Sequence, residues 1–137
     1  MAHEQEIVKV DSKGRITIPA HMRAELGMKE GSYASVRFDR EDKSLVVRLF
    51  AGSQAKLVEM RLMIPDRPGA LARAARALSD LNVDLLSSNS RTIKKGEVAE
   101  WVVVADVGQL RTNIEEIKRS LVMSKDAISV EVRELTL

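Results

Sequence analysis

Val10-Asp11-Ser12-Lys13-Gly14-Arg15-Ile16-Thr17-Ile18-Pro19-Ala20-His21-Met22-Arg23-Ala24-Glu25-Leu26-Gly27 decides how the N-terminal third of the chain is read. Val8 and Val10 share one side of an extended segment, and Lys9 and Asp11 share the other. Ser12-Lys13-Gly14 turns the chain, because Gly14 enters positive φ without a Cβ clash. Ile16 and Ile18 then alternate with Arg15 and Thr17, the pattern of a second half-buried strand. Pro19 closes that strand and pre-sets φ for a first helical turn. Met22 and Leu26 share one helix face, Arg23 lies off it, and Gly27 is a ready C′ residue. A helix of about two turns cannot persist unsupported, so it must pack on something.

Working outward, Gly31-Ser32 turns into a strand where Ala34, Val36 and Phe38 alternate with Ser35 and Arg37. Asp39-Arg40-Glu41-Asp42-Lys43 is a polar hairpin connection, and Leu45, Val47 and Leu49 alternate with Val46 and Arg48 on the return. Short strands and one short helix over about 45 residues, with neither disulfide nor metal, stand near the lower limit for folding alone. A second copy would supply the missing core, so dimerisation is expected on physical grounds.

The run Val10-Asp11-x-x-Gly14-Arg15-Ile16-x-Ile18-Pro19, followed by a short helix that carries Arg23 and ends Leu26-Gly27, resembles the AbrB/SpoVT/MazE swapped-hairpin DNA-binding domain. The resemblance covers residues 6–50 and departs from the AbrB pattern at Val8 and Ala24, where further basic residues can occur. It implies that two chains interlace their hairpins into one barrel-like dimer gripping double-stranded DNA. It also implies that Arg15 and Arg23 contact phosphates or guanine edges, where a guanidinium fork binds bidentately. Lys9 and Lys13 add phosphate contacts, which carry affinity without sequence discrimination. Between Lys9 and Lys29 five basic residues face two acidic ones, a modest patch. The plainer alternatives are that Arg15 and the lysines merely solvate a hairpin and that Arg23 pairs with a carboxylate.

Residues 51–56, small and polar, read as a linker between a 1–50 domain and a 57–137 domain. Beyond them Val58, Met60, Leu62 and Ile64 alternate in a strand, and Pro65-Asp66-Arg67-Pro68-Gly69 leads into an alanine-rich helix with a stripe of Leu71, Ala74, Ala75 and Leu78. Residues 83–93 are extended, Lys94-Lys95-Gly96 is a hairpin tip, and residues 97–106 return. A second helix follows Gly108 with Leu110, Ile114, Ile117 and Leu121, and a last strand carries Ile128, Val130 and Val132. The order β-α-β-β-α-β is a ferredoxin-like unit, so the fold class of the whole chain is α+β. Asp66-Arg67-Pro68-Gly69-Ala70-Leu71 followed by Asn82-Val83-Asp84 resembles an ACT domain, an amino-acid-sensing module. Free N–H groups at the helix start and the small Gly69, beside Ala70 and Leu71, suit a ligand carboxylate. Asp66 and Asp84 could together receive its ammonium group, although Asp66 can equally be an N-cap and Asp84 a solvated strand residue. Many ACT-like modules serve only as dimerisation units.

The 137 residues carry a net charge of +2 and no cysteine, which excludes a disulfide scaffold and a thiolate metal site. No run reaches transmembrane length and the N-terminus lacks a signal-peptide core, so a soluble cytoplasmic protein is expected. With one Trp, one Tyr and two Phe, base-stacking on single strands lacks its platforms. His3 and His21 have no nucleophile partner, and no phosphate-cradling loop or metal-ligand spacing occurs, so neither an enzyme nor a cofactor is expected. These features predict a dimeric or larger homo-oligomeric DNA-binding transcription regulator with an amino-acid effector. Its rivals are an antitoxin, disfavoured by the strong core periodicity beyond residue 57, and a regulatory subunit of a metabolic enzyme that never touches DNA.

Overall fold

The computed structural model describes residues 4–135, which fall into two compact units that divide between Gln54 and Ala55.

In the N-terminal unit, residues 4–19 carry no regular secondary structure apart from a turn in which the Asp11 amide donates to the Arg15 carbonyl and the Gly14 amide to the Asp11 carbonyl, both at 3.0 Å. The two strands expected around it are not formed within one chain. A pair of backbone bonds holds a turn but no ladder, and no described strand pairs with residues 4–19. Helix α1 (Ala20–Leu26) starts after Pro19 and ends at Gly27, whose φ of 73° provides the left-handed C-cap. β1 (Tyr33–Asp39) and β2 (Ser44–Ala51) form an antiparallel hairpin, with Val36 opposite Val47 and Phe38 opposite Leu45. The Asp39 carboxylate accepts from the amides of Glu41 and Asp42 and so shapes the connection.

None of residues 4–54 is buried. Ile7 is 95% exposed, Phe38 58% and Leu45 62%, and Val10, Ile16, Val36 and Leu49 are exposed as well. One chain therefore supplies an open hairpin and not a barrel.

The second unit is different in kind. β3 (Leu57–Pro65), α2 (Ala70–Asp80), β4 (Asp84–Lys94), β5 (Val98–Asp106), α3 (Ile114–Met123) and β6 (Ser129–Glu134) build a four-stranded antiparallel sheet in the order β4-β5-β3-β6. The α+β class and the ferredoxin-like βαββαβ order stand as the sequence suggested. Strand alternation sends Met60, Leu62, Trp101, Val103 and Val130 to the side where Ala74 and Leu78 of α2 and Ile117 and Leu121 of α3 complete the core. Asn113 caps α3 by accepting from the Glu116 amide at 2.9 Å, so the helix begins four residues after Leu110, which packs on the core from the preceding loop. On the opposite face Arg133 forks onto Glu59, with both bonds at 3.1 Å, and ties the β6 edge to β3.

Two apolar assignments change. The buried stripe of α2 is Ala70, Ala74 and Leu78, spaced by four, while Leu71 is 41% exposed and lies off it. Ile128 precedes β6 and is exposed, and its amide donates to the Met63 carbonyl instead of extending the core row. The helix result is testable by paired truncation. Leu78→Ala should destabilise this unit by about 2–5 kcal/mol, as a cavity in a packed core does. Leu71→Ala should cost about 0.5 kcal/mol or less. Chemical denaturation of the two variants checks the order, and equal losses would contradict the stripe described.

Candidate nucleic-acid interface and effector turn

The basic loop of the first unit is organised by Asp11. Its carboxylate accepts from the amides of Lys13 and Arg15, each at 2.9 Å, and from Arg15 Nε at 2.7 Å. These bonds, led by the Arg15 amide and then its guanidinium, hold the Asp11 carboxyl below the usual carboxylate range. Arg15 uses only Nε here and its side chain is 69% exposed, so its two terminal nitrogens stay directed to solvent. Lys9 and Lys13 are exposed and have no ion pair among the described residues. Arg23 behaves differently: one of its terminal nitrogens donates to the Ile18 carbonyl, which closes the chain entering α1 onto the helix. It pairs with a backbone carbonyl rather than with a carboxylate. His21 sits between Glu4 (3.2 Å) and Glu6 (3.7 Å), a tether of the N-terminal arm to α1 that sequence spacing did not reveal.

In the second unit the Asp66–Leu71 turn opens on a cavity of about 230 Å³ lined in part by Asp66, Arg67, Ala70, Leu71, Ser90 and Arg91. The turn is built differently from the expectation. Asp66 is not the N-cap of α2. Its carboxylate accepts from the Gly96 amide at 2.7 Å, while its own amide donates to the Glu97 carbonyl, so it fastens the β4–β5 hairpin tip. Gly69 holds the N-cap position at a φ of 85°, and Arg73 Nη1 lies where a Cβ would come within 2.8 Å. The residue is a glycine because of backbone conformation and the overlying guanidinium, and not only to admit a ligand.

Asp84 is not part of this site. It pairs with Asp106 at the far end of the ladder whose near end is Lys94 opposite Val98, roughly 25 Å of strand away from Asp66. It lines a separate depression with Asn82, Asp106 and Gln109. One chain therefore does not bring the two carboxylates to a shared ammonium group.

Sequence reasoning passed over two arginines that the fold gathers here. Arg67 was visible inside the Asp66–Gly69 motif. Arg91 depended on register, because its Nε donates at 3.0 Å to Glu100, the residue opposite it on β5. Glu100 is the buried charged residue among the described residues, and Arg61 approaches it from the other side at 3.6 Å. No cluster of three potential metal ligands occurs among the described residues, and no helix there is long and apolar enough to cross a membrane.

The Asp11 turn makes a pH-dependent prediction. A carboxyl held low in the folded chain stabilises the turn above its ordinary titration range, and that contribution disappears as pH falls through the lowered value. In Arg15→Ala the side-chain bond is lost while the amide bonds remain. NMR titration should then find the Asp11 carboxyl shifted upward towards, but not fully to, its ordinary value.

Comparisons with known proteins agree with this division. Residues 7–49 match the family described as "Antidote-toxin recognition MazE, bacterial antitoxin". Residues 58–121 match the ACT domain. A search of curated proteins returns no match. Among solved structures, the C-terminal domain of the MgtC protein from Mycobacterium tuberculosis superposes with a TM-score of 0.46 at 11% identity, covering 61% of this chain and 92% of that one, a likeness too slight to bear on function. The chain thus joins a segment that matches a MazE/AbrB-type domain to one that matches the ACT domain.

Proposed function

We propose that the protein is a DNA-binding transcription regulator in which the N-terminal unit binds duplex DNA as a dimer and the ACT domain senses an amino acid and contributes to assembly. The observation that carries the reading is the Asp11 turn. A single carboxylate fixes the loop through three bonds and leaves the Arg15 fork and the Lys13 ammonium facing outward. Preorganised cations, in a unit that also carries an uncovered apolar hairpin, suit a dimer that meets phosphates. Lys9 adds to this surface. Arg23 contributes through whatever donors its bond to Ile18 leaves free, so its removal is expected to affect stability and binding together. Catalysis has no part in this reading.

The antitoxin reading is favoured by one observation, the description of the family that matches residues 7–49. Against it stands the ACT domain, which occupies the place of a toxin-binding tail with a core closed by its own helices. A regulatory subunit that never meets DNA remains a third reading, which a mobility shift separates from the first.

The proposal is tested by binding as a function of salt. Each neutralised phosphate contributes about 0.9 to the slope of log affinity against log salt. A dimer in which both copies of Arg15 reach phosphate should therefore lose roughly 1.8 in slope on Arg15→Ala, with its oligomeric state unchanged. An unchanged slope would remove Arg15 from the contacts, and no binding of the wild-type protein to any genomic fragment would overturn the DNA-binding reading.

A further inference from the structure

We infer that the polar face of the β1–β2 hairpin is a second surface for the backbone of duplex DNA, with Arg48 and Arg37 as its phosphate contacts; this rests on the DNA-binding reading above. Strand alternation gives the hairpin two unlike faces. Val36, Phe38, Leu45 and Leu49 occupy one, while Arg37 and Arg48 share the other with their cross-strand neighbours Val46 and Ser35. Association that covers the apolar rows leaves the arginine face outward. Both arginines are exposed, and neither forms an ion pair among the described residues.

The second unit shows what a strand arginine does when its task is structural. Arg133 forks onto Glu59 and Arg91 bonds Glu100, in each case the residue directly opposite on the neighbouring strand. Arg61 in turn approaches Glu100 at 3.6 Å. Arg37 and Arg48 instead face Val46 and Ser35, which offer a guanidinium no charge. They stand diagonally across the ladder, a spacing of about 7–8 Å, so two like charges share one small face. A polyanion relieves that repulsion.

Chemistry selects the partner. A guanidinium fork holds a phosphate through two parallel, charge-assisted bonds. A duplex carries one phosphate per roughly 3.4 Å of axis on each strand, close enough for two diagonal forks to meet different phosphates. Neither arginine faces an aromatic residue on which an unstacked base could rest, which favours the backbone of a duplex over a single strand. The face is also graded. Asp39 lies two residues beyond Arg37 at the tip, where its carboxylate accepts from the amides of Glu41 and Asp42. Acidic groups thus gather at the tip, and Arg48, on the far side of Arg37 from it, should carry more of the binding.

The test is binding of the full-length protein to a mixed-sequence duplex of about 30 base pairs, which suffices because phosphate contacts do not depend on sequence. Affinity is followed against salt for the wild type, Arg48→Gln, Arg37→Gln and Lys43→Gln, with sedimentation and thermal unfolding verifying oligomeric state and fold. At about 0.9 in slope for each phosphate, two copies of Arg48 should account for roughly 1.8. Arg37→Gln should cost less, and Lys43→Gln, which removes the same charge from the connection between β1 and β2, almost nothing. Arg48→Lys keeps the charge without the fork and should retain the slope. An unchanged slope in Arg48→Gln, with the wild type binding, would overturn this inference and leave the Asp11 turn standing. An equal fall in Lys43→Gln would overturn it too, since net charge rather than this face would then be responsible. Poly-L-glutamate that binds as tightly as the duplex and displaces it would overturn the nucleic-acid partner in favour of an acidic protein. No binding by the wild type would overturn the DNA-binding reading itself, and this surface with it.

Discussion

The protein depends on a shortage of core in its first unit. Val36, Phe38, Leu45 and Leu49 form apolar rows on the hairpin that remain at least 40% exposed, and no residue of 4–54 is buried. Covering those four would contribute roughly 3–6 kcal/mol per chain, because each is already about half covered. For two chains that is of the same order as the roughly 4–15 kcal/mol lost in freedom on association. The hairpins alone would give a marginal dimer. In the proposed dimer Ile7, Val10 and Ile16, also exposed, would join the contact, as an interlaced arrangement allows and two hairpins placed face to face do not. The charged turn at Asp11 would then be held in place by association, and DNA affinity would depend on protein concentration.

Much of this was legible in sequence where a local rule decides the outcome. Pro19 and Gly27 bracket α1 because φ restriction and left-handed freedom are properties of single residues. The rows Met60–Leu62–Ile64 and Trp101–Val103–Ala105 follow from a period of two. What failed depended on partners distant in sequence. Leu71 looked like part of the α2 stripe, but the orientation of the helix over the sheet turned Ala70 inward instead. Asp66 and Asp84 looked like neighbours flanking one helix, yet the sheet register sends them to opposite ends of a ladder. Glu100 gave no local sign that it would be buried between Arg61 and Arg91, since that required two registers at once. The strands expected beside Asp11 failed for a related reason, because alternation alone does not supply a ladder partner and no described strand pairs with residues 4–19.

If an effector acts through the ACT domain on the DNA-binding unit, it can do so only by binding more tightly to one arrangement of the assembly than to another. A cavity lined by arginines from the turn and from the edge strand β4 is suited to that role, because β4 has one side free for further pairing. An ACT domain with a closed core can transmit such a change without unfolding, whereas the first unit, in the proposed dimer, would respond through its association.

The central claim is that the first unit holds its structure only by sharing a core between copies. Hydrogen exchange of the full-length protein over a dilution series tests it most directly, since both units report in one experiment. The account predicts that amide protection in β1 and β2 falls as the protein is diluted, while the β3 and β5 amides stay protected. Protection of β1 and β2 that remains constant down to concentrations at which the protein sediments as a monomer would contradict it.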